Sequence, residues 1–379
     1  MNSTNATNAI KVLHVIDSGG LYGAETMLLN LVTEQRQQGM DPIIASIGDP
    51  WCGEKPLETE ALRRGLPVEP FRMLPGPNFA GAMKILRFAR KEGVEILHSH
   101  GYKGNILFGL MPKNFRRIRM VTTLHGWTWT GGWNRMRFYE CLDRLSLCCI
   151  DRVVGVNKAM RSKVKLNNFH VVNNGIAPLD KTLGSGVSLD PQILAFCRSG
   201  HTIGAIGRLS PEKGFDILLD AVYAVAKTQP EVRLVILGEG AERAALEAQI
   251  KKLGLEDRVL MPGYVGNARD YLPFFKMFVI SSLTEGLPMV LLEAMRAGTP
   301  VISTAVGGIA DALENGKAGT LVKGGDVNGL SEAILSVYRA PDVAAQKSHA
   351  AKEKVLLKYS AARMAQAYSD LYSELLARS

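Results

Sequence analysis

The chain has 379 residues, of which 46% are hydrophobic and 21% charged, and its formal net charge is +9. This length suits two domains of ordinary size, and the composition is typical of globular proteins. No run of about 18 uncharged apolar residues occurs, which excludes a membrane-spanning helix. Residues 1–9 are polar and lack the basic and apolar regions of a signal peptide, so we expect a disordered tail and a cytoplasmic protein.

The N-terminal half alternates apolar, β-branched stretches with helical ones. A glycine-containing loop at 18–23 follows the first stretch and leads into a helix through about Gln38. Strands this continuously apolar are covered on both faces, and the helices between them make them parallel. The predicted strands are KVLHVI (11–16), PIIASIG (42–48), VEILHSH (94–100), MVTTLHG (120–126), RVVGVN (152–157) and HVVNNGI (170–176).

The same alternation restarts after a stretch without hydrophobic period, LDKTLGSGVSLD (179–190). We therefore predict an α/β protein with two Rossmann-like, doubly wound domains that face each other across a cleft. The predicted strands of the second domain are 201–209, 232–240, 258–264, 277–282 and 300–306, with helices near 214–228, 241–253, 288–297 and 326–339. The predicted boundaries are a tail at 1–9, domains at 10–180 and 200–360, a linker at 181–199, and a C-terminal helix at 361–379 that can pack back on the first domain.

The positive charge is unevenly distributed. Residues 84–165 contain 17 Lys and Arg against five acids, an excess of 12, so the rest of the chain sums to −3. This asymmetry predicts an anionic partner for the first half only, such as an anionic membrane surface, a lipid-linked phosphate or an acidic glycan. We expect no nucleic-acid partner.

Five cysteines are an odd number at no metal-binding spacing, which indicates a reducing cytosol. The adjacent Cys148 and Cys149 stand in the apolar stretch LSLCCI, where small buried thiols are expected.

The segment TEGLPMVLLEAM (284–295) is the strongest candidate for a binding site. A strand ends in a glycine-containing turn, and Pro288 suits the first position of a helix whose amides can receive phosphate or sugar oxygens. Glu293 lies one turn further among apolar neighbours, where a carboxylate needs a hydrogen-bonding partner. A ribose diol is one such partner, and an ion pair with Arg296 is the structural alternative.

A second candidate segment, AIGRLSPEKG (205–214), places two cations five residues apart around a Ser-Pro turn. Arg208 can fork onto two phosphate oxygens while Lys213 acts as a point charge. Cations at the start of a helix oppose its dipole, and an anion between them removes that conflict. A solvated loop is the alternative.

These two segments resemble the retaining GT-B glycosyltransferases of family GT4. The family's E-x7-E signature matches Glu285 to Glu293, and its G-R-x-x-x-x-K-G segment matches Gly207 to Gly214. The likeness extends over most of the chain, through the Gly19-Gly20 loop. It also takes in HSHGYKGN (98–105), TLHG (123–126), VNNGI (172–176), LGEGAERAAL (237–246), PGYVGN (262–267) and AMRAGTPVISTAVGG (294–308).

The resemblance implies a nucleotide site in the second domain. By position, Arg208 and Lys213 would hold the diphosphate and neutralise the leaving nucleotide. Glu293 would bind the ribose hydroxyls, and Val265 and Gly266 would hold the base through backbone groups.

The resemblance also implies contacts with the transferred sugar. Glu285 and the backbone of Gly286 and Leu287 would contact its hydroxyls. His125, at the end of a strand of the first domain, would face the donor sugar, and Gly20 would approach the diphosphate and the acceptor. Together with Arg208 and Lys213, His125 and Glu285 are the expected catalytic residues.

We expect no metal and no cofactor. The sequence has no Asp-x-Asp, His-Glu-x-x-His or Cys-x-x-Cys motif, so protein cations and helix N-termini must stabilise the leaving diphosphate. His98 and His100 share one face of a strand, but no third ligand is evident, which favours a structural or polar-cleft role for both.

A tryptophan-rich stretch directly follows His125. Aromatic side chains beside cations are typical of membrane interfaces and of sugar-stacking surfaces, although packing within the first domain is the alternative. We interpret this stretch as a candidate contact for the membrane or the acceptor. Its residues are Trp127, Trp129, Trp133, Arg135 and Arg137.

The predicted function is metal-independent transfer of a sugar, with retained anomeric configuration, from a nucleoside-diphosphate sugar to a glycan or lipid-linked acceptor. A UDP-sugar is the favoured donor and a GDP-sugar the second. We expect the reaction to serve cell-surface polysaccharide or glycolipid synthesis, at the inner face of the cytoplasmic membrane. A UDP-sugar 2-epimerase of the same architecture and a non-catalytic sugar-nucleotide-binding protein are the alternatives.

Overall fold

The structure is a computed structural model that describes residues 9–17, 19–126, 135–177 and 189–377, without the side chains of 135–137 and 163. The chain divides into two compact units. The N-terminal unit comprises Met1–Gly175 and Ala361–Ser379, and the C-terminal unit comprises Ile176–Ser360.

The N-terminal unit contains a seven-stranded parallel sheet with the order β3-β2-β1-β4-β5-β6-β7. The strand order reverses between β1 and β4, so the carboxyl ends of these neighbours diverge into separate loops, which is where α/β sheets bind ligands. The strands are β1 Lys11–Asp17, β2 Asp41–Gly48, β3 Val68–Arg72, β4 Ile96–Ser99, β5 Arg119–Leu124, β6 Arg152–Gly155 and β7 Phe169–Val171.

The C-terminal unit contains a six-stranded parallel sheet with the order β10-β9-β8-β11-β12-β13. Aliphatic side chains of its central strands and helices form one buried core. Here the order reverses between β8 and β11. The strands are β8 His201–Ile206, β9 Val232–Leu237, β10 Val259–Gly263, β11 Met277–Ile280, β12 Val301–Thr304 and β13 Thr320–Val322.

Helices connect successive strands in both units, as parallel pairing requires. The α-helices of the described residues are α1 Gly23–Gln37, α2 Pro56–Arg63, α3 Phe79–Lys91, α4 Tyr102–Gly104, α5 Lys113–Arg116, α6 Arg135–Leu147, α7 Met160–Lys163, α8 Pro191–Arg198, α9 Phe215–Ala226, α10 Arg243–Leu253, α11 Met289–Ala297, α12 Ile309–Ala312, α13 Val327–Arg339, α14 Pro341–Lys358 and α15 Ala361–Ala377. A π-helical turn covers Asn105–Gly109, and 3₁₀ turns cover Pro211–Lys213, Ala268–Phe274 and Glu314–Gly316.

The two parallel Rossmann-like sheets confirm the predicted fold class. Two edge strands, β3 and β13, were not predicted from the sequence. Both are short and contain no fully buried residue, and β3 contains Pro70, so neither has the continuous apolar pattern that marked the central strands.

Part of the predicted linker is helical. Asp190 caps α8, because its carboxylate accepts hydrogen bonds from the backbone N–H of Gln192 at 2.7 Å and of Ile193 at 3.4 Å. Ile193 and Cys197 bury the inner face of this helix, so residues 191–198 belong to the C-terminal unit.

The last helix, α15, packs on the N-terminal unit. Gln38 Nε2 donates to the carbonyl of Ala362 at 3.1 Å, and the backbone N–H of Gly175 points at the sulfur of Met364 at 3.2 Å. The chain thus leaves this unit at Gly175 and returns to it at Ala361.

The expectation of buried thiols at Cys148 and Cys149 is wrong: both are exposed, whereas Cys197 is buried. The two residues follow the end of α6 in a turn, so the apolar character of LSLCCI reflects the burial of Leu147 and Ile150 instead. Among the described residues no helix combines the length and the apolarity needed to cross a bilayer.

Candidate functional site

An ion pair lies where strands β8 and β11 of the C-terminal unit end. Lys213 Nζ lies 2.6 Å from Glu285 Oε1, and Ser282 Oγ donates to the same oxygen at 2.7 Å. Lys213 belongs to the 3₁₀ turn after β8, and Glu285 belongs to the loop after β11. Because these strands are hydrogen-bonded neighbours, residues 72 positions apart meet at one sheet edge.

Backbone contacts fix these two loops to each other. The N–H of Leu283 donates to the carbonyl of Glu212 at 2.8 Å, and Ser281 Oγ donates to the carbonyl of Lys213 at 2.9 Å. Gly214 has a φ of +60°, and a Cβ there would lie 2.5 Å from the carbonyl oxygen of Ser281. The close approach therefore requires glycine, and it holds Lys213 against the second loop.

Arg208 does not join this pair. Its guanidinium contacts Glu212 Oε1 at 3.0 Å, and its side chain is 49% exposed. The structure therefore places both predicted cations beside carboxylates, with Arg208 facing solvent.

Two further glycine loops frame the pair. A Cβ at Gly238, after β9, would lie 1.8 Å from the carbonyl oxygen of Gly207. Gly307, after β12, has a φ of +59°, and a Cβ there would lie 2.1 Å from the carbonyl oxygen of Glu285. The N–H of Gly308 donates to the carbonyl of Gly286 at 2.7 Å. The backbone around Glu285 and Gly286 is thus fixed from the β12 side.

Helix α11 begins at Met289, with Pro288 as its N-cap rather than its first helical residue. Leu287 is buried just before it. Glu293 is half-buried on this helix, and burial raises the pKa of its carboxyl while the guanidinium groups of Arg269 and Arg296 oppose that rise. Arg296 donates instead to the backbone carbonyl of Ala177 at 2.5 Å, which removes support for the alternative of a direct Glu293–Arg296 ion pair.

Val265 and Gly266 follow β10, an edge strand of the C-terminal sheet. Val265 is half-buried, and Gly266 is exposed with no heavy atom within 4 Å of a Cβ built on it. The space beside Gly266 is therefore open.

The loop after β1 in the N-terminal unit contains Gly20, which is buried. A Cβ at this position would lie 2.6 Å from the ring of Tyr22, so the loop needs glycine to keep this ring in place.

A cavity of about 610 Å³ opens beside this loop. Its charged lining consists of Asp17, Asp49, Glu54, Lys55 and Lys103, which sum to −1. Asp17 lies between the two lysines, 3.6 Å from Lys55 Nζ and 2.9 Å from Lys103 Nζ. The cavity is therefore not the basic surface that the charge asymmetry predicted.

Part of the positive charge is neutralised inside the N-terminal unit. Arg116 is 1% exposed and contacts Asp151 Oδ2 at 3.1 Å, and Lys113 contacts the other oxygen of the same carboxylate at 2.8 Å. Asp151 is one of the five acids already subtracted in the excess of 12, so these ion pairs leave that excess unchanged.

Four histidines lie close together in the N-terminal unit: His14 in the middle of β1, His98 in β4, His100 directly after β4 and His125 directly after β5. His14, His98 and His100 are buried, and each offers a ring nitrogen within 4.8 Å of the others. His125 is half-buried, with its ring centroid 5.7 Å from that of His100, and burial lowers its pKa to about 4. The structure therefore joins His98 and His100 to a third imidazole that sequence reasoning missed.

The position of His14 in the sequence could have identified it as a residue with buried hydrogen-bond partners. It is the one polar residue in the apolar stretch VLHVI (12–16), and a buried polar side chain implies a partner. Its partners come from α1 and from the residue directly after β4, which local patterning does not reveal.

The tryptophan-rich stretch lies outside the described residues for Trp127, Trp129 and Trp133. Arg135 and Arg137 fall within α6, but their side chains are not described. The predicted contact with a membrane or acceptor stays a prediction.

Two Rossmann-like units with glycine-framed loops at the carboxyl ends of their strands define a two-domain α/β enzyme of the GT-B fold. Two family models match the chain, Glycosyltransferase Family 4 over residues 22–178 and Glycosyl transferases group 1 over residues 191–354. The chain belongs to glycosyltransferase family 4, as the resemblance predicted.

Named relatives agree with this family. The lipopolysaccharide core biosynthesis glycosyltransferase LpsE of Rhizobium meliloti is 26% identical over 356 residues, which cover 94% of this chain and 96% of that protein. The N-acetyl-alpha-D-glucosaminyl L-malate synthase of Bacillus anthracis is 26% identical over 320 residues, 80% of each chain. The solved structure of Anabaena HepE in complex with UDP-glucose matches with a TM-score of 0.79 at 20% identity, over 96% of this chain and 100% of that one.

The chain is therefore a glycosyltransferase of the hexosyltransferase type, active in glycan, polysaccharide or glycolipid biosynthesis. This confirms the predicted family, fold and enzyme class, and it decides against the epimerase and the non-catalytic binder.

Proposed function

We propose that the protein transfers a sugar from a nucleoside-diphosphate sugar to a glycan or lipid-linked acceptor, with retention of anomeric configuration and without a metal ion. A UDP-sugar is the favoured donor and a GDP-sugar the second. The observation that carries the proposal is the Lys213–Glu285 pair at the carboxyl ends of β8 and β11. It places a cation suited to a diphosphate beside a carboxylate suited to sugar hydroxyls.

Lys213 would stabilise the leaving diphosphate. Its ammonium is already paired with Glu285, so it is held in one position before the donor arrives. Preorganised charge of this kind lowers the free energy of a transition state in which negative charge grows on the leaving group. Arg208, half-exposed on the same loop, would fork onto the phosphate oxygens after parting from Glu212.

Glu293 would bind the ribose. Its carboxyl is already partly shielded from water on α11, so hydroxyl donors supply hydrogen bonds that solvent supplies poorly there. Val265 and Gly266 would receive the base in the loop after β10. The similar protein HepE has been solved in complex with UDP-glucose, which supports a UDP-sugar as the first donor to test.

The acceptor would bind in the cavity beside Asp17. Three carboxylates and two lysines offer many hydrogen-bond partners and little net charge, and Tyr102 and Tyr139 add two aromatic rings whose centroids are 5.9 Å apart. Such a lining suits the hydroxyl groups and apolar faces of a carbohydrate. It gives no support to recognition of the acceptor by positive charge.

Nucleotide release by the purified protein tests the proposal. A panel of UDP-, GDP- and ADP-sugars is supplied with cell-envelope lipid and glycan extracts, with and without EDTA. Turnover that survives EDTA is expected, and strict dependence on a divalent metal would refute stabilisation of the diphosphate by Arg208 and Lys213 alone. NMR of the product gives the anomeric configuration, and inversion would overturn retention.

Variants at Lys213 test its role. Lys213→Ala should lower kcat by about 100-fold, because one preorganised charge at the leaving group is lost. Lys251→Ala, on an exposed position of α10, is the matched control and should retain full activity. Near-normal turnover of Lys213→Ala would remove this residue from the proposed role.

Membrane docking through the N-terminal unit remains part of the proposal. Salt-sensitive flotation with anionic liposomes, lost in Trp129→Ala/Trp133→Ala, is the expected result. Flotation that is absent, or unchanged by the substitutions, would defeat it.

A further inference from the structure

A chain of hydrogen bonds runs through the interior of the N-terminal unit from helix α1 to the end of β4. His14 Nε2 lies 2.8 Å from Gln35 Oε1, and His14 Nδ1 lies 3.0 Å from His100 Nε2. Gln35 and His14 are fully buried, and His100 is 4% exposed. Every link is therefore shielded from water.

The imidazoles of this chain are neutral at ordinary pH. Burial lowers the pKa of His14 to about 4, and burial together with the neighbouring imidazoles lowers the pKa of His100 well below its usual value. A neutral imidazole has one N–H and one bare nitrogen, so each ring has only two tautomers.

Gln35 selects between these tautomers. Its Oε1 can only accept, so His14 carries its proton on Nε2 and leaves Nδ1 bare. The bare Nδ1 in turn requires the proton of His100 to be on Nε2. His100 Nδ1 is then a bare acceptor, and this buried nitrogen has no hydrogen-bond partner.

A second set of contacts fixes the ring of His100. The His98 ring lies against it with a centroid distance of 4.1 Å. His98 Nδ1 is 2.6 Å from the hydroxyl of Tyr372, and its Nε2 is 2.8 Å from Thr123 Oγ1. The hydroxyl of Tyr368 contacts the same Thr123 oxygen at 2.6 Å. Helix α15 thus holds the histidine pair in place.

These contacts favour a hydrogen-bond chain over a metal site. Three imidazoles lie close enough to hold a cation. However, hydroxyl groups engage both ring nitrogens of His98, and Gln35 and His100 engage both of His14. A metal would have to displace several of these bonds.

His100 is close to two parts of the proposed site. Tyr102, two residues further along the chain, lines the cavity beside Asp17, and the ring centroid of His125 lies 5.7 Å from that of His100. An unsatisfied buried acceptor is costly, and a hydroxyl group that donates to it recovers that cost. Sugars and acceptors alike offer such hydroxyls.

We propose that Gln35 and His14 are positioning residues that hold His100 in the Nε2–H tautomer, and that His100 Nδ1 accepts a hydrogen bond from a hydroxyl group of a reactant. The identity of the reactant rests on the proposed function. The tautomer itself does not.

Long-range ¹H–¹⁵N spectra of protein labelled at histidine test the tautomer without any substrate. The chain has only seven histidines, which allows assignment by substitution. We expect His100 as Nε2–H in the native protein and a mixture of tautomers at His14 and His100 in Gln35→Leu. Gln366→Leu, on an exposed position of α15, is the matched control and should leave both signals unchanged.

Three results would overturn the proposal. One is the Nδ1–H tautomer of His100 in the native protein. Another is an unchanged His100 signal in a folded Gln35→Leu variant. The third is one equivalent of tightly bound metal by elemental analysis, lost on substitution of His14.

Kinetics identify the reactant. His100→Gln keeps a donor towards His14 but lacks the acceptor at Nδ1, so the KM of one reactant should rise about tenfold, the size of one neutral hydrogen bond. A change in the donor KM points to the transferred sugar, and a change in the acceptor KM points to the acceptor. His100→Asn, which returns an acceptor near Nδ1, should recover part of the loss.

Unchanged KM values for both reactants in folded His100→Gln would overturn the hydroxyl contact. Failure of the proposed function looks different, because the native protein would then show no turnover while the tautomer measurement still gives its answer.

Discussion

The ion pair between Lys213 and Glu285 can be removed from either side with little change of shape. Lys213→Met keeps all but the last heavy atom of the side chain's length, and Glu285→Gln keeps the outline of Glu285 and its ability to accept from Ser282 Oγ. The two single variants and the double variant form a cycle that isolates the interaction between the charges.

The expected coupling follows from distance and exposure. At an effective dielectric constant of about 20, two charges 2.6 Å apart attract by about 6 kcal/mol. The side chains are only 23% and 11% exposed, so both ions lose hydration that offsets most of this attraction. The net coupling should exceed the roughly 0.2–1 kcal/mol of exposed pairs and fall short of fully buried ones, at about 1–2 kcal/mol.

Urea unfolding of the native protein, the two single variants and the double variant measures the coupling. Titration with UDP adds a second test, in which the two single variants should affect UDP affinity differently. Lys213→Met should weaken UDP binding about tenfold, whereas Glu285→Gln frees the ammonium and should leave the affinity equal or higher. A coupling within about 0.3 kcal/mol of zero would refute the energetic reasoning. Equal weakening of UDP binding by both variants would refute the view that Lys213 is the residue that meets the diphosphate.

Three other features of the structure give simpler tests. Gly238→Ala puts a methyl group 1.8 Å from the carbonyl oxygen of Gly207, so the free energy of unfolding should fall by about 3 kcal/mol in urea titrations. Burial lowers the pKa of His14 from 6.5 to about 4, so the unfolded chain alone binds this proton between those values. Stability should therefore fall as the pH drops from 6.5, by about 2 kcal/mol at about pH 5 for this residue, and urea unfolding of His14→Gln should lack that part of the slope. Cys149 is exposed, whereas Cys197 is buried with its pKa raised to about 11, so an aromatic disulfide reagent should modify Cys149 at least about 100-fold faster.

Each of these tests has a control in the same chain. Gly266→Ala adds a methyl group where no heavy atom lies within 4 Å, and it should change stability by less than about 0.5 kcal/mol. His349→Gln, on an exposed position of α14, should leave the pH slope unchanged. Equal effects in variant and control, or equal rates at the two thiols, would show that burial and contact do not act as described.

Local patterns in the sequence were sufficient for the architecture. The period of apolar residues identified the central strands of both sheets, because each is buried on both faces by its own helices. The Glu285 and Arg208 segments were found for a related reason. Each is a short stretch in which a strand end, a turn residue and a charge follow one another along the chain.

Only the tertiary structure decided which side chains meet. Lys213 and Glu285 were assigned to different parts of the donor, yet they contact each other, because β8 and β11 are neighbours in the sheet although β9 and β10 separate them in the chain. His14 and Gln35 were passed over, since their partners lie 86 and 21 residues away.

The packing of α15 on the N-terminal unit also depends on residues that are distant in the sequence. A helix at the C-terminus could be predicted from its period, but its contacts with Thr123 and His98 arise from residues more than 240 positions apart. The sequence pattern indicates which surfaces of a helix or strand are apolar, but it contains little information about which distant element covers them. The amino-acid sequence alone therefore determined the fold class and the family, while the packing of distant elements determined the ion pair and the histidine chain from which the mechanism is inferred.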